Sequence, residues 1–382
     1  MKLAGDWLTR PATQAVFAAL SGQKVLAVGG CVRDALLGWP MADVDMATDA
    51  LPDQVMALAA AAGLRVVPTG IAHGTVTIMS DGIPHEVTTF RRDVETDGRH
   101  AVVAYTDDVA QDAARRDFTM NALYSTADGT VIDPLGGLDD LLAGRVRFVG
   151  DAAQRIAEDH LRILRFFRFT ATHADPAHGI DAEGLAACAI GAGGIDRLSR
   201  ERVGAELRQI LEAPDPAPVV ASMAHAGVLA HVLPGADPAS LALLVHLEGL
   251  RDVPASWPRR LAVLGAQDAA RALRLSRDEA ATLRAVRDGA LGGLTHAALG
   301  FRLRHLAQDA ALIRAALSGA PLPENWLDEI ARGKRHVTAP VTAADLMPAF
   351  GGAALGVRLA ELTDRWLASD LRLTRGELLS GA

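Results

Sequence analysis

Leu26, Ala27 and Val28 form a short apolar run that breaks at Gly29-Gly30, after which apolar positions return at Val32, Leu36 and Leu37 before Gly38. The pattern predicts a strand, a tight glycine turn, and a helix stopped by glycine. Ala42 to Met46 alternates polar and apolar, which predicts a second strand with Asp43 and Asp45 on one face, roughly 6–7 Å apart along the chain. Pro52 to Ala62 reads as a helix opening on proline and followed by Gly63. Leu64 to Val67 and Gly74 to Met79 read as strands, Asp81-Gly82 as a hairpin turn, and Pro84 to Phe90 as the return strand. Met1 to Leu20 reads as one helix ahead of these elements. Arg91 to Asp108 is charged and aperiodic, and reads as a long mobile loop able to act as a flap.

Downstream, RRDFTMNAL (Arg115 to Leu123) offers Phe118, Met120, Ala122 and Leu123 to a core and leaves Arg115, Arg116 and Asp117 near an edge. In EDHLRILRFFRF (Glu158 to Phe169), Asp159, Arg162, Arg165 and Arg168 recur every third residue in an otherwise apolar helix. Three arginines against one aspartate leave positive charge over, so the stripe is expected to line a cleft holding an anion or a polar ligand. Beyond Asp175 the chain reads as helical. Ser199 to Leu211 has an N-cap and an apolar stripe, and further helices fall around 237–250, 258–275, 277–289, 295–317 and 354–370.

With 382 residues, half of them hydrophobic, the chain is long enough for two or more cores. Its longest apolar runs fall short of a membrane span, and its start lacks the pattern of a signal peptide. Two cysteines are too few for a disulfide framework or a zinc site, consistent with a reducing cytoplasm. The net charge of −8 sits awkwardly with a nucleic-acid partner. Between Arg251 and Ala320, however, eleven arginines and no lysine face six acidic residues, a net +5. Phosphate contacts and a set of solvated arginine faces fit that segment equally well.

The first turn of the helix after Gly29-Gly30 offers unpaired N–H groups to a phosphate, with Arg33 close by. Two carboxylates on an adjacent strand suit one or two Mg²⁺ ions on a nucleoside triphosphate. Glu86 is either a third carboxylate brought to that pair by a neighbouring strand or an exposed strand residue. A dinucleotide-binding turn is disfavoured, because G-x-G-x-x-G is missing.

The spacing of Gly29, Gly30, Val32, Arg33, Asp34, Leu36, Leu37, Gly38, Asp43 and Asp45 resembles G-G-x-V-R-D-x-L-L-G…D-x-D of the polymerase-β-like nucleotidyltransferases. Within them it is most similar to bacterial class II CCA-adding enzymes and their poly(A) polymerase relatives. The stretch from Glu158 to Arg168 is similar to the E-D-x-x-R…R…R motif of the same enzymes, and TGIAHGTVTI (Thr69 to Ile78) looks like them rather than like bacterial poly(A) polymerases. Motif-level resemblance covers roughly residues 25–210. It implies an α+β fold: a polymerase-β-like head with a small mixed sheet over 1–145, a helical neck over 146–212, and an all-helical body and tail over 213–382.

The implied activity is template-independent addition of CMP and AMP to the 3′ end of tRNA from CTP and ATP, with release of pyrophosphate. The alternatives are a poly(A) polymerase, an A-only or CC-only enzyme, and, more remotely, a non-catalytic RNA- or nucleotide-binding protein. The resemblance assigns Mg²⁺ to Asp43 and Asp45, adds Glu86 to the catalytic set, and gives the triphosphate to Gly30, Arg33 and Arg116. It gives the base to Asp159 and Arg162, and further nucleotide contacts to Arg165 and Arg168. No membrane and no obligatory protein partner is expected.

Overall fold

In the computed structural model, residues 1–41, 43–97 and 100–380 are described, with side chains described outside 93–103. The chain forms two compact units, Met1–Leu198 and Ser199–Ala382. The first is built on a seven-stranded sheet of β1 (Val25–Val28), β2 (Val44–Thr48), β3 (Arg65–Gly70), β4 (Thr75–Ser80), β5 (Ile83–Thr89), β8 (Tyr124–Ser125) and β9 (Val131–Ile132), ordered β3-β4-β5-β2-β1-β8-β9. Only β2 and β5 pair in parallel, so the sheet is mixed as expected. The helix Pro52–Ala61 and the strands β3 and β4 supply the crossover that parallel neighbours require.

Local chemistry fixes the register. Asp81 and Gly82 both have positive φ, 49° and 77°, which matches the two-residue turn that joins β4 to β5 without splaying them. Burial alternates along β2 and β5: Val44, Met46, His85 and Val87 point inward, while Asp45 and Glu86 point out. A core of Leu26, Val28, Ala47, Phe90, Ala122 and Tyr124 holds β1, β2 and β8 together.

Several expectations change. Met1–Leu20 is two helices, Asp6–Thr9 and Pro11–Ala19, because the residue before Pro11 is driven into an extended conformation (Arg10 ψ 134°). The stretch 91–108 is not a loop. Its backbone forms a hairpin of β6 (Arg91–Asp97) and β7 (His100–Tyr105), although Gly98 and Arg99 lie outside the described residues. Val94, Thr96, Val102 and Val103 carry strand propensity that the density of charges concealed. The helix Leu161–His173 is buried as predicted, with Ile163, Leu164, Phe166 and Phe167 fully enclosed and Phe148 stacked on Phe166 at 5.4 Å.

The second unit is all helical. The predicted helix 258–275 breaks at Gly265 (φ 75°), and 295–317 breaks at Arg304, which takes φ 53°. No helix among the described residues is long and apolar enough to cross a membrane.

Candidate active site

Gly29 adopts φ 75° and ψ −129°, a region closed to residues with a Cβ, and this lets the chain turn from β1 into the helix Gly30–Leu36. The turn is pinned where the Gly29 N–H donates to the Leu123 carbonyl at 3.2 Å. A side chain placed on Gly29 would bring its Cβ to 3.5 Å from Arg116 Nη1, so this guanidinium lies against the glycine turn.

Next to β1, the strand β2 carries Asp45, whose register partner on β5 is Glu86. Side chains of register partners in a sheet share a face, so the third carboxylate expected from a neighbouring strand does stand beside Asp45. Asp43 lies just before β2 rather than within it, and Ala42 lies outside the described residues. Burial, with the negative charges of Glu86 and Asp43, pushes the Asp45 carboxyl above the ordinary aspartate range, while Arg116 pulls against them. Proximity of these groups is therefore expressed in their electrostatics. Among the described residues, no ion pair neutralises Asp43, Asp45 or Glu86.

Oxygen-only donors with uncompensated negative charge fit a hard divalent cation. Among the described residues no group of three or more His, Cys, Asp or Glu is arranged to hold a metal ion, so Asp43, Asp45 and Glu86 do not form a three-carboxylate metal site by themselves. One or two carboxylates can hold such an ion only where a phosphate substrate and water supply its other ligands.

The arginines are more committed than their sequence suggested. Arg33 is buried, donating from Nε to Asp34 and from Nη1 to Asn121 Oδ1, both at 2.8 Å. Arg116 donates from Nε to the Tyr124 hydroxyl at 3.0 Å and from Nη2 to Asp112 at 3.1 Å. Burial pushes the Asp112 carboxyl up, but Arg116, Arg115 and Tyr124 outweigh it and hold the group below the usual range.

The stripe on Leu161–His173 needs two corrections. Asp159 is not on the helix: it is the extended residue (φ −151°, ψ 106°) after the helix Ala152–Glu158, and its carboxylate accepts from the Leu161 N–H at 3.0 Å. Asp and Ser types favour such positions at helix entries because the side chain satisfies an orphan donor. Asp159 and Arg162 are therefore not one turn apart on one helix face. The arginine charge is also not left over, since Arg162 pairs with Glu158 at 2.5 Å and Arg165 with Asp117 at 2.6 Å. Arg168 lies 4.3 Å from the centre of the Phe169 ring. Counting only the stripe omitted the carboxylates that neighbouring segments contribute.

The sequence reading missed Asp112, Tyr124 and Asn121. Asp112 precedes Arg115 and Arg116 by three and four residues, the ion-pair spacing of a helix, and that signal was available. Asn121 bridges two groups distant in sequence, accepting from Arg33 and donating to Asp117 at 3.2 Å, and nothing local announces it.

Residues 25–147 match the family of the poly A polymerase head domain, and residues 180–240 match a probable RNA- and SrmB-binding site of polymerase A. Over 184 residues the chain is 46% identical to the human mitochondrial CCA tRNA nucleotidyltransferase 1, covering 48% of this chain and 42% of that protein. Over 216 residues it is 38% identical to the CCA-adding enzyme of Geobacillus thermodenitrificans, covering 56% of this chain and 52% of that protein. The aligned part thus spans about half the length of these curated relatives. Among solved structures, the CTP complex of the Bacillus stearothermophilus CCA-adding enzyme superposes with a TM-score of 0.72 at 28% identity, covering 94% of each chain. The Thermotoga maritima CCA-adding enzyme complexed with tRNA shares the fold, with a TM-score of 0.67 at 19% identity over 99% of this chain and 95% of that one. Nucleotidyltransferases of this kind use divalent metal ions.

Proposed function

We propose that this chain, whose residues 25–147 match the family of the poly A polymerase head domain, adds CMP and AMP to the 3′ end of tRNA without a template. The observation that carries the reading is the pairing of Asp45 with Glu86 across β2 and β5, with Asp43 alongside, next to a glycine turn faced by Arg116. Binding alone does not require an acidic metal pair, whereas metal-assisted nucleotidyl transfer uses one.

In this reading the RNA 3′-hydroxyl attacks the α-phosphate of CTP or ATP and pyrophosphate leaves. Asp43 and Asp45 would hold Mg²⁺, which when bound neutralises triphosphate charge and lowers the pKa of a bound hydroxyl. Glu86 adds negative charge to that carboxylate pair. Gly30 and Arg116 hold the triphosphate, the glycine through its helix-entry N–H and the arginine through its guanidinium. Arg33, buried under the same turn, orients it through Asn121 and Asp34. Asp159, from the junction ahead of the helix Leu161–His173, accepts from the base edge, Arg162, in the helix's first turn, donates to it, and Arg165 and Arg168 contribute further nucleotide contacts.

The working division is a head over 1–145, a nucleotide-recognition neck over 146–212 and a tRNA-binding body and tail over 213–382. Buried, unpaired Cys31 and Cys188 support a reducing compartment, which we assign to the cytoplasm.

The test is incorporation of each labelled nucleotide into tRNAs ending before CCA, after the first C, and after CC. C, C and A should be added in turn, then synthesis should stop. Continued A addition identifies a poly(A) polymerase, and addition restricted to A or to CC identifies a partial enzyme. No incorporation into any of the three with Mg²⁺ or Mn²⁺ overturns the reading.

A further inference from the structure

Five N–H bonds radiate from a guanidinium, and in Arg116 the protein uses two of the three nitrogens. Nε donates to the Tyr124 hydroxyl at 3.0 Å, and Nη2 to Asp112 Oδ2 at 3.1 Å. The same Tyr124 hydroxyl donates to Asp112 Oδ2 at 2.8 Å, which closes a three-membered ring of hydrogen bonds. Asp112 is itself saturated: its Oδ1 accepts from Arg115 Nε and Nη2, at 3.0 and 2.9 Å, and from the Arg91 backbone N–H at 3.2 Å. Tyr124 is fully buried and Asp112 nearly so, and neither can rotate away without stranding a partner. The remaining nitrogen, Nη1, makes no hydrogen bond among the described residues, and it is the one nearest Gly29.

We infer that Tyr124 and Asp112 are positioning residues that lock the Arg116 guanidinium so that its free Nη1 edge faces a triphosphate seated on the Gly29-Gly30 turn. The inference rests on the nucleotidyltransferase reading and adds to it. A flexible arginine would lose rotamer freedom each time a nucleotide bound; one held on two sides is ordered beforehand. Phosphate affinity then depends on a phenol that touches no substrate. Tyrosine suits the position because a single hydroxyl accepts from Arg116 and donates to Asp112 at once. Phenylalanine has the same shape and does neither.

The experiment is a double-substitution cycle on the full chain. Tyr124→Phe should raise KM for CTP and for ATP by about five-fold, the loss of one net hydrogen bond, with kcat and the preference among bases unchanged. Inhibition by inorganic tripolyphosphate, which has no base or ribose, should weaken by the same factor. Arg116→Lys should raise KM more, since a lysine cannot be held at two edges. Adding Tyr124→Phe to it should then change KM no further. Should Tyr124→Phe fail to fold, the cycle is run with Asp112→Asn, which reaches Arg116 from its Nη2 side. Multiplying effects in the double variant, or unchanged tripolyphosphate inhibition in the single one, would overturn the inference while leaving the functional reading intact. A wild type that incorporates neither CTP nor ATP sinks that reading, and the inference with it.

Discussion

Acidic side chains in the first unit and arginines in the second are each dense enough to suggest a site, but the protein treats them differently. On β2 and β5 it brings Asp45 against Glu86, with Asp43 near by, and no ion pair among the described residues neutralises them. Between Arg251 and Ala320 it does the reverse. Arg259 and Arg260 are buried on the two oxygens of Glu248, at 2.7 and 2.9 Å, and Arg260 also donates to the Leu211 carbonyl at 2.7 Å. Arg314 caps the carbonyls of Gly289, Ala290 and Leu294, and Arg287 those of Gly265 and Ala266. Clustered charge that a fold leaves uncompensated is kept for a ligand, whereas charge it compensates is part of the architecture.

Substitution in the two clusters should therefore cause different losses. Asp45→Asn keeps shape and removes a charge that an ion needs. Nucleotide incorporation should fall by about four orders of magnitude for every nucleotide, with the circular dichroism spectrum and tRNA binding unchanged. Residual activity within ten-fold of wild type would show the uncompensated cluster to be idle. Glu248→Ala should instead leave buried Arg260 without a carboxylate and Arg259 with Asp309 alone, and cost about 3 kcal/mol of stability in urea. A loss below about 1 kcal/mol would mean that these arginines find other partners.

The same distinction explains what was legible in the sequence. Gly29-Gly30, the alternation around Asp45, and the Asp81-Gly82 turn are local signals, and the strands and the Asp45–Glu86 neighbourhood follow from them. The fates of Arg165 and Arg33 are not local. Arg165 meets Asp117 from 48 residues away, and Arg33 meets Asn121 from 88. A count of charges along Glu158 to Phe169 could not find Asp117, and it left out Glu158, the partner of Arg162 within the same stretch, so it inferred an excess that the fold neutralises. Asp159 was misplaced for a different reason: a three-residue spacing fits a helix face and a helix entry equally well until the capping hydrogen bond to Leu161 is seen.

Acid titration separates the two kinds of carboxylate by sign. Asp45 is pushed up by burial, Glu86 and Asp43, so the folded protein holds its proton more tightly than the unfolded chain does. Stability falls as pH rises through that window. Without divalent ions, Asp45→Asn should therefore melt slightly above wild type at pH 7. The gain should stay under about 1 kcal/mol, because the side chain keeps contact with screening solvent, and it should vanish below about pH 4. Asp112 is held low by Arg116, Arg115 and Tyr124, so its contribution is present at neutral pH and lost as pH falls through its folded-state pKa. Asp112→Asn should accordingly melt below wild type at pH 7. Equal signs for the two variants would erase the distinction between uncompensated and compensated carboxylates.

The smallest effect concerns what the second unit's arginines still offer to RNA. Arg277 and Arg284 are exposed and make no hydrogen bond or ion pair among the described residues, unlike the buried and capping arginines. Arg271, Arg274 and Arg302 are also exposed, held only by surface pairs with Asp268, Glu201 and Asp364 that are worth little in water. If any of the eleven arginines touches tRNA phosphate, it should be among these five. Removing one arginine–phosphate pairing should flatten the dependence of log affinity on log salt concentration by about 0.7–0.9. Arg277→Ala combined with Arg284→Ala should thus change that slope by less than about 2 and weaken binding only at low salt. CTP and ATP affinity should not move, because the residues proposed to hold the triphosphate lie in the first unit. A slope that is unchanged when all five are replaced by alanine would take this segment out of RNA binding altogether, and its arginine excess would then be explained by helix capping and ion pairing alone.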